Sequence, residues 1–171
     1  MLKLSFLSLL LVSSFASAEE ARRANAHVHG LNNLSMVISQ NQVAISYEMP
    51  IVQLLDDHDE HEGHDDHDEL TVSDEALAEF NKYSQLFTFP KGAGCNLTSF
   101  ESGLHSVSTE GDHKDVELSY EFACSNSDQL KSITINAFDR FSELETLNFE
   151  AVINNKALSK SLKSDDNKVM F

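Results

Sequence analysis

Residues Asp56–Glu69 read DDHDEHEGHDDHDE, and residues of these types at this spacing point to metal chemistry. Nine of the fourteen are carboxylates and four are histidines, with Gly63 the only other residue. His58, His61, His64 and His67 recur at every third position. A packed core has no use for such a segment, which offers no apolar side chain to bury and carries only like charges. Imidazole is a good ligand for zinc, copper and nickel. The carboxylates around it raise the local cation concentration and can complete a coordination shell. Gly63 gives backbone freedom at the centre, where a chain wrapping one ion must turn. An acidic run alone reads as a solvated loop; four histidines within it are the compositional mark of a metal-binding tract. Calcium does not fit, because taking Gly63 as the sixth residue of an EF-hand loop makes His58 the first ligand. Zinc is favoured, with copper or nickel as alternatives. Ordering a loop costs about 1–2 kcal/mol per residue, so the tract is expected to bind more weakly than a preformed site and to scavenge ions.

Two further pairs share one spacing, His27-x-His29 and His113-x-Asp115. On a strand, residues two apart project from the same face. If the two strand starts lie side by side, three imidazoles and a carboxylate converge, a donor set suited to tetrahedral zinc. In an alternative role, Asp115 accepts the free N–H of a ligating histidine and fixes its tautomer. Ordinary strand-end polarity is the competing reading of both pairs. His105 is a weaker candidate, on a connecting segment that could approach the same end.

A His-x-His strand with a third histidine can also hold a catalytic zinc with water in the fourth position, which is the basis of a zinc hydrolase reading. The supporting motifs are missing. HExxH and GxSxG are absent, and His61-Glu62-Gly63-His64 is one residue short of the metalloprotease spacing. The expectation is a binding protein and not an enzyme. Copper or nickel sequestration for detoxification is the other alternative, although soft Cu(I) donors are scarce: there is no Met-rich tract and there are only two cysteines.

The elements that must position these residues begin after a leader. Residues 1–18, MLKLSFLSLLLVSSFASA, have the form of a secretory signal peptide: Lys3, an apolar run over Leu4–Val12, and Ala16-Ser17-Ala18 as cleavage pattern. The run is too short for a membrane span. Removing it takes away one lysine and leaves eleven cations against 28 carboxylates, a net charge of −17. Such a chain is repelled by nucleic acid and anionic membranes and attracts cations or basic surfaces. Residues 19–171 suit one domain with a real core, into which the loop 56–69 is inserted. Cys95 and Cys124 read as one disulfide in an exported protein, closing a loop of about 30 residues worth roughly 3–4 kcal/mol; a soft metal-ligand pair is the rival.

Period-two alternation predicts a hairpin over Leu31–Met49 turning at Ser39–Gln42, with Pro50 ending the second strand. Ser73 or Thr71 can cap an amphipathic helix of about four turns, carrying Leu77, Phe80, Tyr83 or Ser84, and Phe87 and stopping before Pro90. Cys95–Phe100 reads as a short strand and Glu101–Asp112 as a polar connection. His113–Cys124 is the clearest strand, with Val116, Leu118, Tyr120, Phe122 and Cys124 on one face. Ile133–Ala137 and Leu147–Ile153 alternate too, separated by a turn or single helical turn at Phe138–Leu144, and Lys168–Phe171 can close an edge. The fold class is α+β: an antiparallel β-sheet or sandwich of five to seven strands, one main helix and a disordered His/Asp-rich loop.

HVHG just after a signal peptide, the His/Asp-rich insertion, a helix before Gly94-Cys95, and His113-x-Asp115 leading into Tyr120-x-Phe122-x-Cys124 together resemble the ZrgA-like family of zinc-regulated periplasmic zinc-binding proteins. The resemblance covers nearly the whole chain after the leader. It implies a periplasmic accessory protein that binds zinc and supports an ABC-type zinc importer, with the importer's substrate-binding protein or another component as partner. It also implies metal roles for His27, His29, His113, Asp115 and the four histidines of the loop.

Overall fold

A computed structural model of the chain describes residues 31–54, 72–106 and 114–171. The expected hairpin is present. In β1 (Leu31–Ser39) the buried positions are Asn32, Leu34, Met36 and Ile38; in β2 (Gln42–Pro50) they are Val43, Ile45, Tyr47 and Met49. Gln40 and Asn41 connect the strands, and Gln40 takes φ 56. A positive φ at the first of two loop residues matches the twist of the strands it joins.

Downstream, β3 is Phe87–Thr88, β4 is Cys95–Ser106, β5 is Lys114–Cys124, β6 is Ser132–Ile135, β7 is Thr146–Ile153, β8 is Lys156–Leu162 and β9 is Lys168–Met170. Six of these strands form one sheet in the order β4-β5-β2-β1-β7-β8, and the other three form a small sheet, β3-β6-β9. Buried residues of both sheets belong to a single apolar cluster. The small sheet lies on one face of the large one, where the Phe87 ring meets Tyr120 and Phe122 edge-on at centroid distances of 5.4 and 6.0 Å. That face is the inner one; the opposite, outer face carries the alternate residues of each strand.

Several expectations change in detail. The large sheet is not wholly antiparallel, because β1 and β7 run parallel. After β5 the chain crosses the inner face through β6 before entering β7, and a crossover of that kind returns a strand in its original direction. β8 was not foreseen; Asn154 and Asn155, at φ 49 and 68, form its hairpin turn with β7, the type that demands two left-handed residues. β4 runs on to Ser106 where a connection was expected. It is an edge strand, and none of its side chains from Cys95 to Leu104 is fully buried: Asn96, Thr98, Glu101, Ser102 and Leu104 are exposed and the rest half-buried.

The four-turn helix is also shorter than expected. α1 (Asp74–Ala78) is capped by Ser73, whose Oγ accepts the Ala76 N–H at 3.2 Å, a cap worth about 1 kcal/mol. Two 3₁₀ turns follow, Glu79–Asn81 and Tyr83–Gln85, separated by Lys82 at ψ 66. Leu77, Phe80, Tyr83 and Leu86 are three apart, a spacing that a 3₁₀ backbone eclipses onto one side. Leu77, Phe80 and Leu86 are buried and Tyr83 is half-buried, so the apolar stripe does face the core. The expected single turn before β7 is α2 (Ala137–Arg140).

Cys95 and Cys124 are register partners on β4 and β5 and form a disulfide. The metal-ligand alternative for this pair is thereby removed. The leader and the tract Asp56–Glu69 lie outside the described residues.

Candidate metal centre

Sheet register decides what can meet Asp115. β2 is antiparallel to both β1 and β5, so β1 and β5 run the same way and start at the same end of the large sheet. Extending the β1–β2 register places Leu31 level with Pro50, and Pro50 pairs with Asp115. Convergence of the four ligands required the two strand starts to lie side by side; the structure puts β2 between them. The reason is the hairpin, which gives one edge of β2 to β1 and leaves the other edge for β5. At about 4.8 Å per strand the β1 and β5 backbones are roughly 10 Å apart, so an ion shared by their starts would have to lie over β2.

Asp115 is half-buried and alternates with Val116, which places it on the outer face. Two more carboxylates share this end of that face. Glu48 and Glu117 are directly paired across β2 and β5, and Ser46 Oγ donates to Glu117 Oε1 at 2.9 Å. Beyond Glu48 lies Asn33, whose Oδ1 accepts from Asn148 Nδ2 at 3.2 Å. Three acidic side chains on neighbouring rungs make this end of the sheet attractive to a cation. Among the described residues, however, no three His, Cys, Asp or Glu side chains are gathered closely enough to hold a metal ion.

His105 is the register partner of Asp115 on β4, so the backbone brings that position to the same end of the sheet. His27, His29, His113 and the tract histidines His58, His61, His64 and His67 lie outside the described residues. What the fold does show is where their neighbours are. Leu31 starts β1, Lys114 starts β5, Ser106 ends β4, and the 3₁₀ turn Ile51–Leu54 follows directly on β2. All four points are at the Asp115 end. His113 is bonded to Lys114, His29 is two residues from Leu31, and the tract begins two residues after Leu54. By sequence, each of the three candidate segments adjoins a described element at this end of the sheet.

Beneath this end, on the inner face, sits a polar pair that the sequence reading passed over. Asn32 Nδ2 donates to the Tyr47 hydroxyl at 2.6 Å, and both residues are wholly buried. Among the described residues Asn32 Oδ1 has no partner, a deficit that costs about 1–3 kcal/mol. Burial pushes the Tyr47 phenol well above its ordinary pKa, partly offset by the bond from Asn32. Burial and then the neighbouring Tyr47 do the same to Tyr120, whose hydroxyl donates to the Phe80 carbonyl at 2.9 Å. Both phenols are therefore neutral at physiological pH, Tyr47 accepting and Tyr120 donating. The signal for Asn32 was legible: it stands in phase with Leu34, Met36 and Ile38.

In comparison with known proteins, the profile of the ZrgA family zinc uptake protein matches residues 26–171. No curated protein matches the chain significantly. The match takes in the whole described fold and all three histidine-bearing segments, and the chain accordingly belongs to the ZrgA family of zinc uptake proteins.

Proposed function

We propose that the protein is exported to the periplasm, loses residues 1–18 as a signal peptide, and captures zinc there on behalf of an ABC-type zinc importer. The observation that carries this reading is the zinc uptake family match, because residues 26–171 include His27-x-His29, the Asp56–Glu69 tract and His113-x-Asp115 together. In this reading the tract collects ions, and His27, His29 and His113 with Asp115 hold zinc more tightly at the end of the sheet. Asp115 ligates or orients a histidine, and Glu48 and Glu117 supply a negative field beside it. The Cys95–Cys124 disulfide is in keeping with an oxidising compartment. Zinc is cargo here, received and passed to the importer's substrate-binding protein, and the protein is a carrier and not a catalyst.

The test is a calorimetric zinc titration of the metal-free protein beside a variant lacking Asp56–Glu69, with copper and nickel as competitors. The expected result is that the deletion keeps a tight zinc and loses only weaker ones. Loss of all binding would make the tract the whole site and remove the role of the strand-end residues. Loss of the gene should impair growth under zinc starvation; impairment under metal excess instead would overturn the uptake role.

A further inference from the structure

Strand register lines up the outer face of the large sheet in rows. Ala44, Val37, Val152 and Ala157 are successive partners across β2, β1, β7 and β8, and they make one apolar row. All four stand open to solvent, Val37 at 49 % and Val152 at 44 %. In the next row, towards Asp115, Ser119, Ser46 and Ser35 lie side by side on β5, β2 and β1. Glu101 on β4 and Glu150 on β7 flank these serines. Strand positions favour β-branched and aromatic side chains. Small ones occupy the middle of this face instead, so it carries little relief.

Its charge is of one sign. Strand alternation puts Glu48, Glu101, Asp115, Glu117, Glu121 and Glu150 on the outer face. The described lysines of these strands, Lys156 and Lys160, pair with Ile153 and Phe149 and are in phase with the inner face. The carboxylates are spread over four strands, and among the described residues no three gather closely enough to hold a metal ion. Such a field suits a broad surface and not a single ion. It repels nucleic acid, anionic lipid and a second copy of the same face. A protein surface rich in lysine or arginine is attracted. Val37 and Val152, with Glu121 in their row and Glu150 beside Val152, give the apolar centre and polar rim of a protein–protein contact. At about 4.8 Å between strands and about 6.7 Å between rows, three rows across the sheet span roughly 600 Å² in plan. That falls short of the roughly 800 Å² that each partner of a stable complex buries, and it suits a transient one.

We propose that the outer face is a docking surface for a basic protein partner, centred on Val37 and Val152 and steered by Glu101, Glu121 and Glu150. In the function proposed above that partner is the substrate-binding protein of the zinc importer, and the inference rests on that reading. None of these five residues is a zinc ligand in it, so docking and zinc binding can be perturbed separately. A brief contact is what a carrier needs if it is to leave its partner after each transfer.

The experiment measures binding of the zinc-loaded protein to the purified substrate-binding protein of the same organism's zinc importer, by surface plasmon resonance at low and high salt. It compares wild type with Val37→Lys, with the double reversal Glu121→Lys and Glu150→Lys, and with a matched reversal on the opposite layer, Asp139→Lys and Glu143→Lys, in and just after α2. Chelator competition gives the zinc affinity of each, and a thermal midpoint shows that each is folded. Wild type is expected to bind more weakly at high salt. Both outer-face variants should bind about tenfold more weakly than wild type, the matched reversal within about threefold of it, and zinc affinity should not change. If wild type binds but the outer-face variants bind equally well, the docking surface is overturned and the carrier reading stands. Equal weakening by the matched reversal, or indifference of wild type to salt, overturns it too. If wild type does not bind at all, the handover to that partner fails and the inference falls with it. Should Val37→Lys unfold, the reversal at the exposed Glu121 and Glu150 decides.

Discussion

Replacing both half-cystines, Cys95→Ala with Cys124→Ala, separates what holds the fold from what should hold zinc. The cysteines are 29 residues apart in sequence, and the chain-entropy relation gives a closed loop of that size roughly 3.6 kcal/mol. Cys124 is 1 % exposed, so truncation also leaves a small cavity costing about 1 kcal/mol. The sum of about 4–5 kcal/mol lowers the melting temperature of a domain this size by roughly 10–15 °C. Zinc binding should not follow. Cys124 ends β5 and Asp115 lies nine residues earlier on the same strand, about 30 Å away at strand rise, far beyond the range over which substitutions usually couple. Scanning calorimetry reads the first effect, and chelator competition below the lowered melting temperature reads the second. A melting temperature lowered by less than about 3 °C would refute the entropic argument. A zinc affinity weakened more than about threefold would refute the separation of the two ends.

The remaining predictions concern protons and a turn. Zinc binds neutral imidazole, whose ordinary pKa is about 6.5, and neighbouring carboxylates favour the protonated form. Capture therefore weakens as pH falls from about 7.5 to about 5.5; calorimetry at the two values checks this, and equal affinities would contradict histidine ligation. Gly94 closes the turn before β4 at φ 58, and a Cβ there would collide with Ser125 Oγ. Gly94→Ala should cost about 1–3 kcal/mol in urea unfolding. Adding Ser125→Ala should recover part of that loss but not the share due to the backbone angle.

Period-two alternation made β1, β2 and β5 legible because one face of each is buried and the other is not. Val116 to Cys124 on β5 are read directly, and the buried side is the predicted one. β4 and β8 are edges of the large sheet, where burial imposes less pattern, and both were misjudged; the Asn154-Asn155 pair was the local clue to β8. Leu77, Phe80 and Tyr83 satisfy an α-helical and a 3₁₀ spacing alike, so the stripe could be read but the backbone break at Lys82 could not. At the candidate site, Asp115 falls on a β5 start that shares its end of the sheet with the start of β1. The intervening β2 was missed, although the hairpin already placed it beside β1. Asn32 was the plainest omission, a polar residue in phase with an apolar face.

Glu48 and Glu117 oppose one another on adjacent strands, with Asp115 two positions along. Like charges directly opposed weaken strand pairing, yet the β2–β5 ladder continues past them to Pro50. The inner face explains how. Tyr47–Leu118 and Met49–Val116 are the rungs on either side of Glu48–Glu117, all four residues buried, and burying an apolar side chain of that size stabilises by about 1.5–3 kcal/mol. A mutual repulsion of a few tenths to one kcal/mol per pair cannot dislodge strands held from beneath by several such residues. The sheet can therefore keep a negative outer face at the end that the histidine segments adjoin in sequence, because the opposite face supplies its cohesion.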